Sequence, residues 1–141
     1  MTEQLHTRLI TQERTLFEGD ARSVVAPALG GQLGILRKHA PLMAALGNGV
    51  LKISSNSSNT YFVVLGGFLQ VKDNRVIVLA DSAKAAEEIN LKEAEEKLAT
   101  LKNSLEAITG EGEIDKADEL RKELKLARIN YRAARLAHKN S

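Results

Sequence analysis

Six cationic side chains near the end of the chain recur at alternating intervals of four and three residues. They are referred to here as the basic ridge and comprise Arg121, Lys125, Arg128, Arg132, Arg135 and Lys139. Because an α-helix has 3.6 residues per turn, this spacing places all six on one helix face. Residues 121–141 hold seven Lys/Arg against a single acid, Glu123. The ridge therefore predicts binding to an acidic surface, and the alternative interpretation is an ordinary solvated face.

Residues arranged for catalysis are not found. The sequence contains no P-loop, HExxH or GxSxG motif, and it has no cysteine to act as nucleophile, disulfide partner or metal ligand. His6, His39 and His138 are far apart and lack patterned carboxylates, so solvated or locally bonded roles are expected. The Gly-Gly pairs at 30–31 and 66–67 do not open a helix, as an anion-binding loop would, and are interpreted as turn or bulge glycines. We expect no catalytic residue, no metal and no cofactor.

The first part of the chain, from Leu5 to Ala80, has the pattern of short strands. Runs of Val, Ile, Leu and Thr are interrupted by Gly, Asn, Asp and Ser. The polar segment SSNSSN at 54–59 and the pair Asp73-Asn74 stand at hairpin spacing. Without intervening helices, these strands predict an antiparallel β-sandwich. The expected strands are Leu5–Ile10, Val24–Ala26, Gln32–Leu36, Val50–Ser54, Tyr61–Leu65, Gly67–Lys72 and Arg75–Leu79.

At about Ala83 the composition changes to Ala, Glu, Lys and Leu, with no glycine until Gly110. A first helix is predicted with Asn90 as its cap and a narrow apolar stripe of Leu91, Ala94, Leu98, Leu101, Leu105 and Ile108. Gly110 and Gly112 should end it, and Asp115 should begin a second helix. The fold class is therefore α+β with two domains: an N-terminal antiparallel β-sandwich at 1–83 and a C-terminal antiparallel α-helical hairpin at 84–141.

Two apolar stripes flank the basic ridge on the second predicted helix. The first suits packing on the first helix and comprises Ala117, Leu120, Leu124, Ala127, Tyr131 and Ala134. The second follows Lys122 and comprises Leu126, Ile129, Ala133 and Leu136. A helix with one neighbour needs only one apolar stripe. The second stripe therefore predicts a further contact, either with the sandwich or with a partner protein.

Other functional classes are less compatible with the sequence. Aromatic residues make up 4% of the chain, and Tyr131 is the only one in the basic segment, so the alternation typical of single-strand nucleic-acid binding is missing. A free-standing adaptor whose basic helix binds nucleic acid remains the alternative, and a small enzyme on a β-sandwich lacks an activated nucleophile. Residues 1–10 have no signal or transit character, and no apolar run is long enough to span a membrane. We expect a cytoplasmic protein.

Two segments resemble the epsilon subunit of the F-type ATP synthase. The segment GGQLGILRKHAPL at 30–42, followed by GV and an apolar strand at 49–53, is similar to that family's glycine-led strand and His-Ala-Pro turn. The segment GGFLQVKDNRVIVLADSA at 66–83 is similar to its last hairpin and exit into the helices. With the two-helix tail, the resemblance covers residues 1 to about 139. Arg37 stands where the family often has proline.

The resemblance implies a non-catalytic rotor subunit that couples proton flow to ATP synthesis. Implied partners are the gamma subunit, the c-ring and the alpha and beta subunits, with no nucleic acid and only indirect membrane contact through the c-ring. The implied location is the cytoplasmic face of the bacterial plasma membrane or the stromal side of the thylakoid membrane. The implied c-ring or gamma contact turn consists of Arg37, Lys38, His39, Ala40, Pro41 and Leu42.

The resemblance also implies regulation by the hairpin, which in this family lies folded on the sandwich or extends into the catalytic head and inhibits ATP hydrolysis. The basic ridge would then meet acidic segments of the beta subunits. Some bacterial members bind ATP between the helices, and Ile89, Ala94, Arg128 and Arg132 fit their pattern. Lys84, Asn90 and Glu93 replace the expected Glu, Asp and Arg. Because Glu93 would face phosphate, weak or absent ATP binding is expected.

Overall fold

The computed structural model describes residues 4–108 and 114–139. Seven strands are followed by a short 3-10 helix at Ala86–Glu88 and two α-helices, which confirms the predicted fold class. The strands are β1 Leu5–Ile10, β2 Thr15–Ala21, β3 Ser23–Ala28, β4 Gly31–Leu36, β5 Leu42–Ser54, β6 Asn59–Lys72 and β7 Arg75–Ala85, and the helices are α1 Leu91–Glu106 and α2 Ile114–Lys139.

All seven strands belong to one continuous sheet in the order β2-β1-β7-β6-β5-β3-β4, with β1 and β7 parallel and the other neighbours antiparallel. The three long central strands are shared between two layers. Their first-layer halves pair with β1 through β7, and their second-layer halves pair with β3 through β5. The core lies between the layers and includes fully buried Leu5, Leu9, Ile35, Leu51 and Leu69.

On the central strands, the side chains that point into the core change from one face of the strand to the other at a single level. The sheet folds over at this level. Leu46 points into the core before this level on β5, and Leu51 does so after it, an odd number of residues later. On β6 the same inversion separates Val64 from Leu69. Pairing is interrupted there, at the level where Gly47 and Gly66 would lie side by side. Each central strand can therefore bury a different face in each layer.

Glycine is required on β6 at this inversion. Gly66 and Gly67 have φ values of 71° and 123°, which side-chain-bearing residues rarely adopt. A Cβ on Gly67 would clash with the carbonyl oxygen of Leu79. The sequence pattern split this strand into Tyr61–Leu65 and Gly67–Lys72, whereas the structure has one strand that bends.

Two strand predictions were incomplete. The strand β2 was missed because Glu18, Gly19 and Asp20 lower its β-propensity, yet it pairs with β1 at the edge of the sheet. The strand β5 begins at Leu42, eight residues before the predicted Val50, because Gly47 and Gly49 interrupt its apolar pattern. Both segments are strands through pairing with neighbours that are distant in sequence.

The hairpin forms as the cap and most of the apolar pattern predict, although Ile108 lies beyond the end of α1. The Oδ1 of Asn90 accepts a hydrogen bond of 3.0 Å from the backbone N–H of Glu93, which caps α1. The helix α1 ends at Glu106, and α2 begins at Ile114, one residue before the predicted Asp115. Gly110 and Gly112 lie outside the described residues. A cluster of Leu98, Leu101, Leu105, Leu120, Leu124 and Ala127 joins the helices. Within the described ranges, no helix is long and apolar enough to cross a membrane.

Candidate functional site

The second apolar stripe of α2 packs on the outer face of the second layer. Ile129, Ala133 and Leu136 form a cluster with side chains of β5, β6 and the 3-10 helix, and this contact is referred to here as the seat. The strand side of the seat comprises Val50, Tyr61 and Val63. The sequence left two surfaces possible for this stripe, the sandwich or a partner protein, and in the structure the stripe packs on the sandwich. Leu126 remains 38% exposed beyond the seat.

The last turn of α2 is joined to the segment that precedes α1. The Nε2–H of His138 donates a hydrogen bond of 3.1 Å to the carbonyl oxygen of Ile89. Ala86, in the 3-10 helix, is fully buried in the seat. The linker between β7 and α1 is thus part of the contact that holds the folded hairpin.

All six cations of the basic ridge are exposed when α2 lies on the seat. Arg121 forms a 2.9 Å salt bridge with Asp118, one turn earlier on the same helix. The guanidinium of Arg135 lies 5.7 Å from the centroid of the Tyr131 ring. In the described part of the chain, the Arg121 salt bridge is the only ion pair in which a ridge cation takes part. The ridge is accordingly available to an acidic partner from outside.

The contact turn lies at the other end of β5 from the seat. Arg37, Lys38, Ala40 and Pro41 are exposed, whereas His39 and Leu42 are half-buried. The seat residue Val50 follows Leu42 by eight strand positions, or roughly 26 Å at the rise of a β-strand. The contact turn therefore lies away from the hairpin and can contact a different protein surface.

The outer face of the first layer carries apolar side chains that no helix in the described part of the chain covers. Met43, Phe68 and Leu79 are 71%, 58% and 45% exposed. Strand pairing puts Ala45, Phe68 and Leu79 in one row and Met43, Gln70 and Ile77 in the next, all on one side of the sheet. This surface, the bare face, begins immediately after the contact turn because Met43 follows Leu42. Sequence reasoning missed it, although Phe68, Ile77 and Leu79 stand on the side of the β6–β7 hairpin opposite its core residues, so that large apolar residues occur on both sides.

Neither of two open pockets on the hairpin brings together the four residues that fit the nucleotide pattern. Ile89 and Ala94 line an open pocket of about 360 Å³. Arg132 lines a different pocket of about 430 Å³, beside Leu91 and the end of α2. Arg128 is exposed and lines neither of these two pockets.

The first pocket has mixed charge. Its polar lining is supplied by Lys84, Glu88, Asn90, Glu93, Lys97 and Asn130. The carboxamide oxygen of Asn90 is already engaged in capping α1. A polyphosphate in this pocket would meet two carboxylates as well as two lysines, so the pocket offers it no net positive charge.

The three histidines lie on separate elements. His6 on β1 is near Asp20 and Glu18 on the neighbouring strand β2, at 3.4 and 3.5 Å. His39 contacts the carbonyl oxygen of Ala40 at 2.7 Å. Among residues 4–108 and 114–139, no group of three or more His, Cys, Asp or Glu side chains could hold a metal ion.

A sandwich with a bare apolar face, an exposed turn and an attached helical hairpin that carries a basic ridge is typical of interaction subunits that dock on other proteins. Residues 4–86 match the family described as ATP synthase, Delta/Epsilon chain, beta-sandwich domain. The chain belongs to the ATP synthase epsilon chain family.

Curated relatives from chloroplasts and bacteria support this membership. The chain is 35% identical over 134 residues to the chloroplastic ATP synthase epsilon chain of Pyropia yezoensis, covering 94% of this chain and 97% of the relative. It is 46% identical over 91 residues to the ATP synthase epsilon chain of Dehalococcoides mccartyi, covering 64% of this chain and 65% of the relative.

Solved structures share the fold at low sequence identity. A chain of the Euglena gracilis mitochondrial ATP synthase, in a structure of OSCP/F1/c-ring, aligns with a TM-score of 0.71 at 18% identity, covering 95% of this chain and 81% of that chain. A chain of the Tetrahymena thermophila central stalk/c-ring aligns with a TM-score of 0.59 at 18% identity, covering 94% and 97%.

Proposed function

We propose that this chain is a non-catalytic central-stalk subunit of a proton-translocating F-type ATP synthase, coupling proton flow to ATP synthesis and restraining ATP hydrolysis. Its partners are the gamma subunit, the c-ring and the alpha and beta subunits. The complex is membrane-associated, and the chain lies on the cytoplasmic face of a bacterial membrane or the stromal side of a thylakoid. It reaches the membrane only through the c-ring.

The bare face is the observation that carries this proposal. Three large apolar side chains, Met43, Phe68 and Leu79, stand exposed together, whereas the equivalent outer surface of the second layer is covered by α2. Contiguous apolar surface of this kind is typical of a protein interface. The gamma subunit docks here, and the adjoining contact turn, residues 37–42, faces the c-ring or the foot of gamma. The sandwich, residues 1–83, thus supplies the docking function.

Restraint of hydrolysis belongs to the hairpin, residues 84–141. In the folded state, the basic ridge already faces outwards, but α2 lies flat on its seat. Only Ala133 among the helix residues of the seat is fully buried, while Ile129 and Leu136 are half-buried. A contact that buries so few side chains of the helix can be broken and replaced by a contact of similar size with another protein. When the hairpin extends, the ridge meets acidic segments of the beta subunits, and charge complementarity sets the speed and register of docking.

The docking role is tested by replacing Phe68 with Asp, because a charge at the centre of an apolar interface must lose water without gaining a partner. We expect at least roughly 100-fold weaker rebinding to ATP synthase stripped of this subunit, about 3 kcal/mol. Ile114→Asp is the matched control, since Ile114 is 64% exposed at the start of α2 and lies on the hairpin, not on the bare face. Equal rebinding of the two variants would contradict the proposal.

A further inference from the structure

The contact turn has a backbone conformation that its own residues do not favour. The backbone N–H of His39 donates to the carbonyl oxygen of Leu36 at 3.2 Å, closing a four-residue turn with Arg37 and Lys38 at its centre. Lys38 has φ = 64°, whereas Arg37 is not among the described residues with positive φ. A positive φ at the third position alone is the type II arrangement, which favours Pro at the second position and Gly or Asn at the third. Arg37 and Lys38 supply neither preference.

A residue 36 positions away holds this turn. The Oδ1 of Asn74 accepts a hydrogen bond of 2.7 Å from the backbone N–H of Lys38. Strand pairing makes the contact possible, because Leu42 lies opposite Val71 and the turn before β5 is therefore next to the turn after β6. A left-handed lysine is maintained only when its surroundings determine it.

Asn74 is itself well fixed. Asp73 and Asn74 have φ values of 51° and 58°, the type I′ pattern of a two-residue hairpin, in which Asn is a preferred residue. The carbonyl oxygen of Asn74 also accepts a hydrogen bond of 2.9 Å from the backbone N–H of His6 on β1. The carboxamide thus projects from an anchored backbone and transmits the rigidity of the β6–β7 hairpin to the contact turn.

We infer that Asn74 is a positioning residue that pre-organises the contact turn for docking on the rotor, an inference that rests on the proposed docking function. Pre-organisation strengthens binding because the ordering entropy of the turn is lost during folding and not during association. In this role Asn74 acts through Lys38 and not by contacting the rotor itself. The surface on which the contact turn docks is that of an ATP synthase from which this subunit has been removed.

The local part of the inference is tested in the isolated chain by amide hydrogen exchange. Asn74→Gly keeps the left-handed backbone accessible and removes Oδ1, whereas Asn74→Asp keeps an acceptor oxygen at the same place. We expect exchange of the Lys38 amide to be about tenfold faster in Asn74→Gly and unchanged in Asn74→Asp, the factor being that of one weak hydrogen bond. The His6 amide should stay protected in both variants. Equal exchange of the Lys38 amide in all three proteins would overturn the inference.

The functional part is tested by rebinding to stripped ATP synthase. Asn74→Gly should bind roughly tenfold more weakly, and Asn74→Asp as tightly as the unsubstituted chain, since a turn that is not ordered in advance loses conformational entropy on binding. Adding Arg37→Pro to Asn74→Gly should bring the affinity back to that of Arg37→Pro alone, because proline pre-sets φ at the second position of a type II turn. Faster exchange with unchanged affinity, or no recovery with proline, would overturn the docking role of Asn74. If the unsubstituted chain failed to rebind, the proposed function itself would be wrong.

Discussion

The two outer faces of the sandwich are similar in composition and differ in what covers them. The second layer presents Val50, Tyr61 and Val63, all buried under α2. The first layer presents Met43, Phe68 and Leu79, all exposed. Each face is made by the same three strands on either side of one bend. The covered face has a partner within the chain, and the bare face needs one from another protein.

Because of this difference, we expect the bare face to make a permanent contact and the covered face to make an exchangeable one. A face with no cover in the isolated chain loses exposed apolar surface only on assembly, so its partner should stay bound. A face covered by a helix of the same chain can be uncovered by moving that helix. The helix brings with it a ridge of cations that has few partners in the folded chain. We therefore propose that the bare face serves anchoring and the covered face serves regulation.

The largest expected effect comes from removing the bend that creates the two faces. Gly67→Ala would place a Cβ against the carbonyl oxygen of Leu79 and impose a φ of 123° on a side-chain-bearing residue. We expect the free energy of unfolding to fall by about 3 kcal/mol or more. Gly34→Ala is the control, since its Cβ would have nothing within 4 Å, and it should change stability by no more than about 0.5 kcal/mol. Urea unfolding of the isolated chains would measure both, and similar midpoints would show that β6 does not need this glycine.

An intermediate effect is expected from the cations that α2 carries. Replacing Arg128, Arg132 and Arg135 with alanine keeps helix propensity and both apolar stripes. Loss of attraction to acidic partners should raise ATP hydrolysis by the assembled enzyme roughly tenfold, about 1.4 kcal/mol, with a smaller change in synthesis.

The matched control for this triple variant removes three exposed lysines outside the ridge, at Lys92, Lys102 and Lys116. Hydrolysis and synthesis are compared in inverted membrane vesicles carrying each form. If the ridge and control variants hydrolysed ATP equally fast, net charge would explain the effect and the ridge would lose its special role.

The smallest effect is expected from nucleotide. Ile89 and Ala94 line a pocket that also contains Glu88 and Glu93. Arg132 lines a different pocket, and Arg128 lines neither of the two. With a Kd of at least about 1 mM, ATP at that concentration would stabilise the isolated chain by at most about 0.4 kcal/mol, a melting shift of roughly 1 °C.

A positive control for the melts restores the pattern of ATP-binding members with Lys84→Glu, Asn90→Asp and Glu93→Arg, in which Asp still caps α1. This variant should shift more with ATP than the natural chain. A shift of several degrees in the natural chain would mean that Arg128 and Arg132 contribute to a nucleotide site, although neither lines the pocket of Ile89 and Ala94.

Local signals in the sequence were sufficient for the hairpin and for the class of fold. Asn90 as a cap, the stripe through Leu98 and Leu101, and the break near Asp115 are all determined by residues within one or two helical turns. The second stripe of α2 indicated a second contact, although only the structure shows that Ala133 packs on the sandwich.

What the sequence did not reveal depends on pairing between distant segments. The strand β2, with Glu18 and Asp20, is held by β1 and not by its own propensity. The bend at Gly67 exists in three strands at once, so no single segment could show it. Asn74 appeared only as a turn residue, because its contact with Lys38 follows from the register of β5 against β6.

The central claim, that the hairpin must leave its covered face to restrain hydrolysis, is tested most directly by locking it there. The chain has no cysteine, so one cysteine at Val63 and one at Ala133, both in the seat, would form the only possible intramolecular disulfide. In the assembled enzyme, the oxidised pair should hydrolyse ATP fast, and reduction by dithiothreitol should restore restraint, while single-cysteine forms respond to neither. Hydrolysis that stays restrained in the fully crosslinked enzyme would contradict the account.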